Sequence, residues 1–204
     1  MPSRNVIKQY APESYYHVYA RGASKQKIFQ EQSDYTYFIG LFERYLSNKE
    51  QRSKTGQLYP NFNKNIELIA YCLMTNHFHM LIYQENSSDI SGFMRSIMTS
   101  YSRYFNLKYK RSGALFESRY KASRVDNDSY LQHITRYIHL NPKNWDPYRH
   151  SSYRFYKNGG EPIWLKPDKI IQMFSSAEEY TDFVADYEEM KEMFVEIKYQ
   201  LADQ

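Results

Sequence analysis

"NIELIAYCLMTNHFHMLIYQE", residues 65–85, carries the strongest β pattern in the chain. Two apolar runs flank Thr75-Asn76, a pair suited to a tight turn, so the stretch is expected to fold as a β-hairpin. Alternation along a strand puts His77 and His79 on one face, with Cβ atoms about 7 Å apart. Phe78, Met80 and Ile82 project from the other face, where helices can cover them. Neutral imidazole is the commonest protein metal ligand, and two on one strand can chelate one ion if a third ligand comes from elsewhere. Two half-exposed sheet residues bonded to their neighbours would show the same spacing.

Outward from the hairpin, strands and helices alternate. "SYYHVYARG" (14–22) reads as a strand with His17 and Tyr19 on one side and Tyr16 and Val18 on the other. "SDYTYFIGLFERYLSNK" (33–49) repeats Phe38, Leu41, Phe42 and Tyr45 at helical spacing, with Ser33 or Asp34 as the N-cap. Residues 50–64 are polar with Gly and Pro, a loop. "DISGFMRSIMTSYSRYFNLKY" (89–109) is a long amphipathic helix, and "GALFESRYKASRV" (113–125) a strand or extended arm. "DNDSYLQHITRYIHLNP" (126–142) is a capped helix stopped by Pro142, and 175–200 a final acidic helix. The order β, α, ββ, α, β, α implies an α+β fold, a ferredoxin-like two-layer sandwich with an antiparallel sheet and helices packed on it. The economical division is one domain over 1–160 and a C-terminal helical extension over 161–204.

The bulk numbers narrow the function. The chain has 204 residues, 42% hydrophobic, enough for a real core. No apolar run approaches the roughly 20 residues that span a bilayer, and the first ten residues hold no secretory apolar stretch. A single cysteine, Cys72, excludes an internal disulfide framework and a cysteine zinc site. A cytoplasmic protein is the simplest expectation. The net charge of +4 hides an asymmetry: residues 178–204 carry −7, which leaves +11 on the rest. A basic body with an acidic tail suits a polyanion binder. Residues 103–124 hold Arg103, Lys108, Lys110, Arg111, Arg119, Lys121 and Arg124 against one acid, Glu117, with aromatic side chains interleaved. Cations neutralise phosphates and rings stack on unpaired bases, so this stretch is the expected DNA contact. A solvated helix face followed by a charged edge strand is the plainer alternative.

The helix before Pro142 offers the rest of a site. Tyr137 and Asn141 are four apart, and so on one helix face, at the edge of the stripe Tyr130, Leu131, Ile134 and Ile138. Asn141 could coordinate an ion through its carbonyl oxygen, or merely cap the last turn. Tyr137 could be a nucleophile, or a core-edge aromatic. Together these groups describe one reaction: two histidines and an amide oxygen hold a divalent ion at a phosphate, and a tyrosine hydroxyl attacks the phosphorus.

"NHFHMLIYQ" resembles the histidine–hydrophobic–histidine motif of the single-tyrosine transposases. "SYSRYFNLKYKRSGALFESRYKASRV" followed by "YLQHITRYIHLNP" is similar to their REP-associated tyrosine transposase branch. The resemblance runs from about Tyr16 to Tyr153. It implies a ferredoxin-like fold and a DNA strand transferase or endonuclease acting on single-stranded or hairpin DNA. Cleavage then passes through a 5′-phosphotyrosine with Mg²⁺ or Mn²⁺ and leaves a free 3′-OH. On that resemblance His77 and His79 are metal ligands, Tyr137 is the nucleophile, and Asn141 stands where relatives often have glutamine. Thr75 stands in place of a common proline, and Phe116-Glu117 in place of a frequent Trp-Gln pair. Other readings are a domesticated hairpin-binding protein that does not cut, and a metallohydrolase using water. If Tyr137 is not the nucleophile, Tyr101 and Tyr104 are next in line. No membrane partner is expected, and a homodimer is one assembly this leaves open.

Overall fold

The structure, a computed structural model, describes residues 10–186. Four strands form one antiparallel sheet: β1 Ser14–Arg21, β2 Ile66–Met74, β3 His77–Gln84 and β4 Lys121–Val125, in the spatial order β2-β3-β1-β4. Helix α1, Gln32–Leu46, connects β1 to β2, and α2, Asp89–Lys108, connects β3 to β4. Both crossovers leave a gap that another strand fills, which is the ferredoxin-like arrangement expected from the element order. The expected strand over 113–125 is shorter: only Lys121–Val125 pairs along β1, and Leu115 and Phe116 instead bury their side chains from an irregular arm.

Alternation sorts the side chains into two cores. Tyr16, Val18, Phe78, Met80 and Ile82 pack under α1 and α2 with Phe38, Leu41, Phe42, Phe93 and Ile97. Fully burying a side chain of this kind contributes about 1.5–3 kcal/mol. A register shift between Leu68 and Ala70 in β2 sends Ile69 and Ala70 to the opposite face. There they join Cys72, Leu81 and Val125 under α3, Asp128–His139. Helices α4 (Tyr153–Asn158), α5 (Asp168–Ile171) and α6 (Ala177–Ala185) extend this second layer, through Tyr156, Ile170 and Tyr180. Of the expected acidic helix over 175–200, α6 is the described part; residues 187–204 lie outside the described residues.

One local expectation shifts. The N-cap of α1 is Glu31, ahead of Ser33 and Asp34, because Asp34 turns its carboxylate back onto the amides of Gln30 and Glu31 at 2.8 and 3.1 Å. The hairpin turn is Thr75-Asn76, as read, and neither residue adopts positive φ. Tertiary bonds hold it: Thr75 O accepts from the amides of Ile28 and Phe29, and Asn76 O from that of Gly22, at 2.8–3.0 Å.

Candidate active site

The β1–β3 register pairs Tyr19 with His79 and His17 with Leu81, so His17 lies diagonally across from His79 on the same face. The His17 and His79 rings stack, 5.0 Å apart at 15°, and Tyr19 stacks on both. His77 and His79 meet edge to face at 5.1 Å. Helix α3 lies over this face. Its Tyr137, 8% exposed, points the ring edge-on at both imidazoles, 5.8 Å from His17 and 5.5 Å from His79.

Helix α3 starts where Asn127 accepts a hydrogen bond from the Tyr130 amide, and its buried stripe of Leu131, Ile134 and Ile138 sits on the sheet. It ends at His139, one turn short of the boundary the proline suggests, with Leu140 as C-cap. Asn141 is therefore past the helix rather than above Tyr137 on one helical face. It still reaches the site: its Oδ1 is 3.0 Å from His77 Nε2. His139 turns the other way and fixes the helix end, with Nδ1 2.6 Å from the Tyr180 hydroxyl and Nε2 2.8 Å from Ser152 Oγ.

The environment of His77 makes it suitable for a cation. Its Nδ1 is 2.7 Å from Asn76 Oδ1, and that amide is oriented by donating from Nδ2 to Lys25 O at 3.3 Å. In the tautomer with the proton on Nδ1, Nε2 has a lone pair that faces the Asn141 side-chain amide at 3.0 Å. With its oxygen toward that lone pair Asn141 could share a positive ion with it; turned over, its Nδ2 would donate to Nε2 instead. Neighbouring ligands on an octahedral ion with bonds of about 2.1 Å also stand about 3.0 Å apart. His77 and Asn141, with His79 adjacent, could hold a hard divalent ion. Among the described residues no three His, Cys, Asp or Glu side chains converge in this way, so an amide oxygen is needed to complete a set.

Electrostatics favour the ligand form. Burial lowers the pKa of His77, and the charge of Arg21 adds to this against the contact with Asn141. Burial, then His17 and His77, hold His79 well below the usual imidazole value. Both rings are neutral near pH 7, the state with a lone pair to give. Burial, with Cys72 nearby, raises the Tyr137 phenol, so it is protonated at that pH. Burial, Tyr137 and Glu117 push Tyr19 up to about 12.

The basic stretch divides. Lys108 is engaged inside the protein, 2.6 Å from both Glu31 and Asp34, and Arg124 pairs with Asp126 at 2.9 Å. Arg111 lies over the Phe105 ring at 5.5 Å. Arg103, Lys110 and Arg119 are exposed. Lys121 lies on the histidine face, with Nζ 5.8 Å from the Tyr19 ring centre. The fallback tyrosines are on the wrong side of the sheet: the Tyr101 hydroxyl bonds to Ile28 O under α2 and that of Tyr104 to Asp34. Sequence reasoning passed over three residues at the site: His17, Asn76 and the exposed Arg21 opposite His77. A histidine in a strand that otherwise alternates apolar side chains was the available signal for His17.

A four-stranded antiparallel sheet with a histidine pair on one strand and a tyrosine helix lying across it defines a ferredoxin-like α+β domain with its polar cluster on one sheet face. The chain belongs to the IS200-like transposase family, whose model matches residues 11–141 and so spans every element named above from β1 to α3. No curated protein sequence matches it. A REP-associated tyrosine transposase, solved bound to a REP hairpin, has the same fold, with TM-score 0.53 and 16% identity over 80% of this chain and 92% of that one. A transposase candidate from Deinococcus radiodurans R1 aligns over 68% of this chain and 95% of its own, at 14% identity and TM-score 0.39. No helix among the described residues is long and apolar enough to cross a membrane.

Proposed function

We propose that this transposase nicks and rejoins single-stranded DNA beside a hairpin through a covalent bond to Tyr137. The supporting observation is the meeting of three elements at one place: the Tyr137 ring 5.5 Å from His79, and the His77–Asn141 contact of 3.0 Å beside it. His77, His79 and Asn141 would hold Mg²⁺ or Mn²⁺. Such an ion, when bound, polarises the scissile phosphate and neutralises charge that develops on it. The Tyr137 oxygen attacks phosphorus as its proton leaves. The Oη–P bond forms while the bond from phosphorus to the 3′ oxygen breaks, and that oxygen takes up a proton to give a free 3′-OH. The phosphotyrosine ester retains the bond for religation by the reverse step. A hairpin partner is our reading; it is supported by the REP hairpin bound to the transposase of the same fold. Exposed Arg103, Lys110 and Arg119, with Lys121 on the histidine face, are the cations we assign to the DNA backbone.

Incubation with a 5′-hairpin oligonucleotide and Mn²⁺ should give a denaturant-resistant protein–DNA adduct, absent with chelator. Tyr137→Phe should abolish the adduct and keep hairpin binding within about threefold. An adduct that persists in that variant removes Tyr137 as nucleophile. Hairpin binding with no adduct from wild-type protein on any substrate would support the binding-only alternative.

A further inference from the structure

One buried ring at the site has no role in the reaction above. His17 is fully enclosed in β1, and its Nε2 lies 2.8 Å from His79 Nδ1. It does not form a three-histidine ligand set with His77 and His79, since no such convergence exists among the described residues. His17 stands behind His79, and His79 turns Nδ1 to it, so only Nε2 remains to face the site. A contact of 2.8 Å between two ring nitrogens needs one proton between them, donated by one ring and accepted by the other.

Two tautomer pairs satisfy the contact. With the shared proton on His17 Nε2, His79 carries its own proton on Nε2 and offers no lone pair there. With the shared proton on His79 Nδ1, His79 Nε2 is bare. His17 Nδ1 has no hydrogen-bond partner among the described residues under either arrangement. That orphan is a cost of placing imidazole at this position, and phenylalanine or leucine would fill the space without it. What an apolar ring cannot do is accept a proton from His79.

We propose that His17 is a positioning residue that accepts the Nδ1–H of His79, fixing the tautomer and ring orientation that present Nε2 to a divalent cation. The inference rests on the reading that His79 ligates the ion. Partners of this kind behind a ligating histidine set the basicity and direction of the ligand nitrogen, and their loss typically costs 10–100-fold in metal affinity.

The test is Mn²⁺ affinity of the full chain without DNA, read from the paramagnetic resonance signal of free Mn²⁺. His17→Phe, which keeps a flat ring but cannot accept, should weaken binding about 10–100-fold. His17→Gln, with an amide oxygen in reach, should recover most of it, and His79→Ala should show the largest loss. Wild-type affinity in His17→Phe alongside a weak His79→Ala overturns the positioning role and leaves the ligand reading standing. Wild-type affinity in His79→Ala overturns the ligand reading itself. The tautomer is also measurable in unmodified protein: long-range ¹⁵N–¹H correlation spectra of the Mg²⁺-loaded chain should show His79 protonated at Nδ1 and bare at Nε2. A proton on Nε2 overturns the inference, whatever the variants do.

Discussion

Asp34→Ala should destabilise the protein by about 3–4 kcal/mol, although Asp34 is far from the histidines. Its side chain is fully buried and accepts five hydrogen bonds. Oδ1 takes Lys108 Nζ at 2.6 Å and the Tyr104 hydroxyl at 3.2 Å. Oδ2 takes the Tyr109 hydroxyl at 2.7 Å and the amides of Gln30 and Glu31. Removing one partner of a buried ion pair typically costs 3–5 kcal/mol. Here Lys108 keeps 24% of its side-chain surface and a second partner in Glu31, 2.6 Å away, which lowers that figure. Loss of the capping-box bonds to the Gln30 and Glu31 amides, just ahead of α1, adds back about 1 kcal/mol. Urea unfolding should show the midpoint fall at constant m. A loss below about 1 kcal/mol would refute the account of Asp34 as the clasp between α1 and α2. The companion variant Lys108→Met checks the functional side. It should lower stability yet leave the salt dependence of DNA binding unchanged, because an internally paired ammonium releases no counterions from phosphate. A drop of about one in the log–log salt slope would mean that Lys108 touches DNA after all.

Acid should destabilise the fold before the carboxylates titrate. Burial holds His17 and His139 at about 3 against 6.5 for the free side chain, so between those values the unfolded chain binds more protons. Stability is therefore complete above about pH 6.5 and falls on acidification, by up to about 1.4 kcal/mol per pH unit for each ring. Asp34 acts in the same direction at lower pH: burial raises its carboxyl, but Lys108 and the amide donors outweigh this and hold it below the usual value. Urea midpoints at pH 7, 6 and 5 that stay level would contradict the assignment. Gly22→Ala should cost about 1–3 kcal/mol, because a Cβ there would sit 2.3 Å from the Gln26 carbonyl oxygen. The same residue bonds to Asn76 O next to His77, so adduct yield should fall with stability; a fully active, unshifted variant argues against this. Tyr180→Phe should lose about 1–2 kcal/mol by leaving His139 Nδ1 without its 2.6 Å partner, visible as a lowered Tm.

How far the fold could be read depended on the range of the contacts. The hairpin at 65–85 was legible because period-two alternation and a two-residue turn are local. The helices 33–49 and 89–109 were legible because their apolar stripes repeat within a few residues. The exact end of α3 was not: spacing alone keeps Asn141 on the helix with Tyr137, whereas the helix stops at His139, where the buried bonds to Ser152 and Tyr180 tie that residue down. The cation count in 103–124 was correct as composition but uninformative about Lys108, whose acidic partners lie more than 70 residues earlier.

The candidate site divides in the same way. That His77 and His79 share a face follows from the geometry of a single strand, and the motifs around them pointed to the transposase family. What that face meets depends on contacts between distant parts of the chain. The β1–β3 register brings His17 behind His79, and the crossing of α3 over the sheet sets Tyr137 against both rings. Asn141 reaches His77 across 64 positions of chain. Pairing registers and helix crossings come from the burial of two separate cores, and that is a property of the whole folded chain rather than of any short stretch of it.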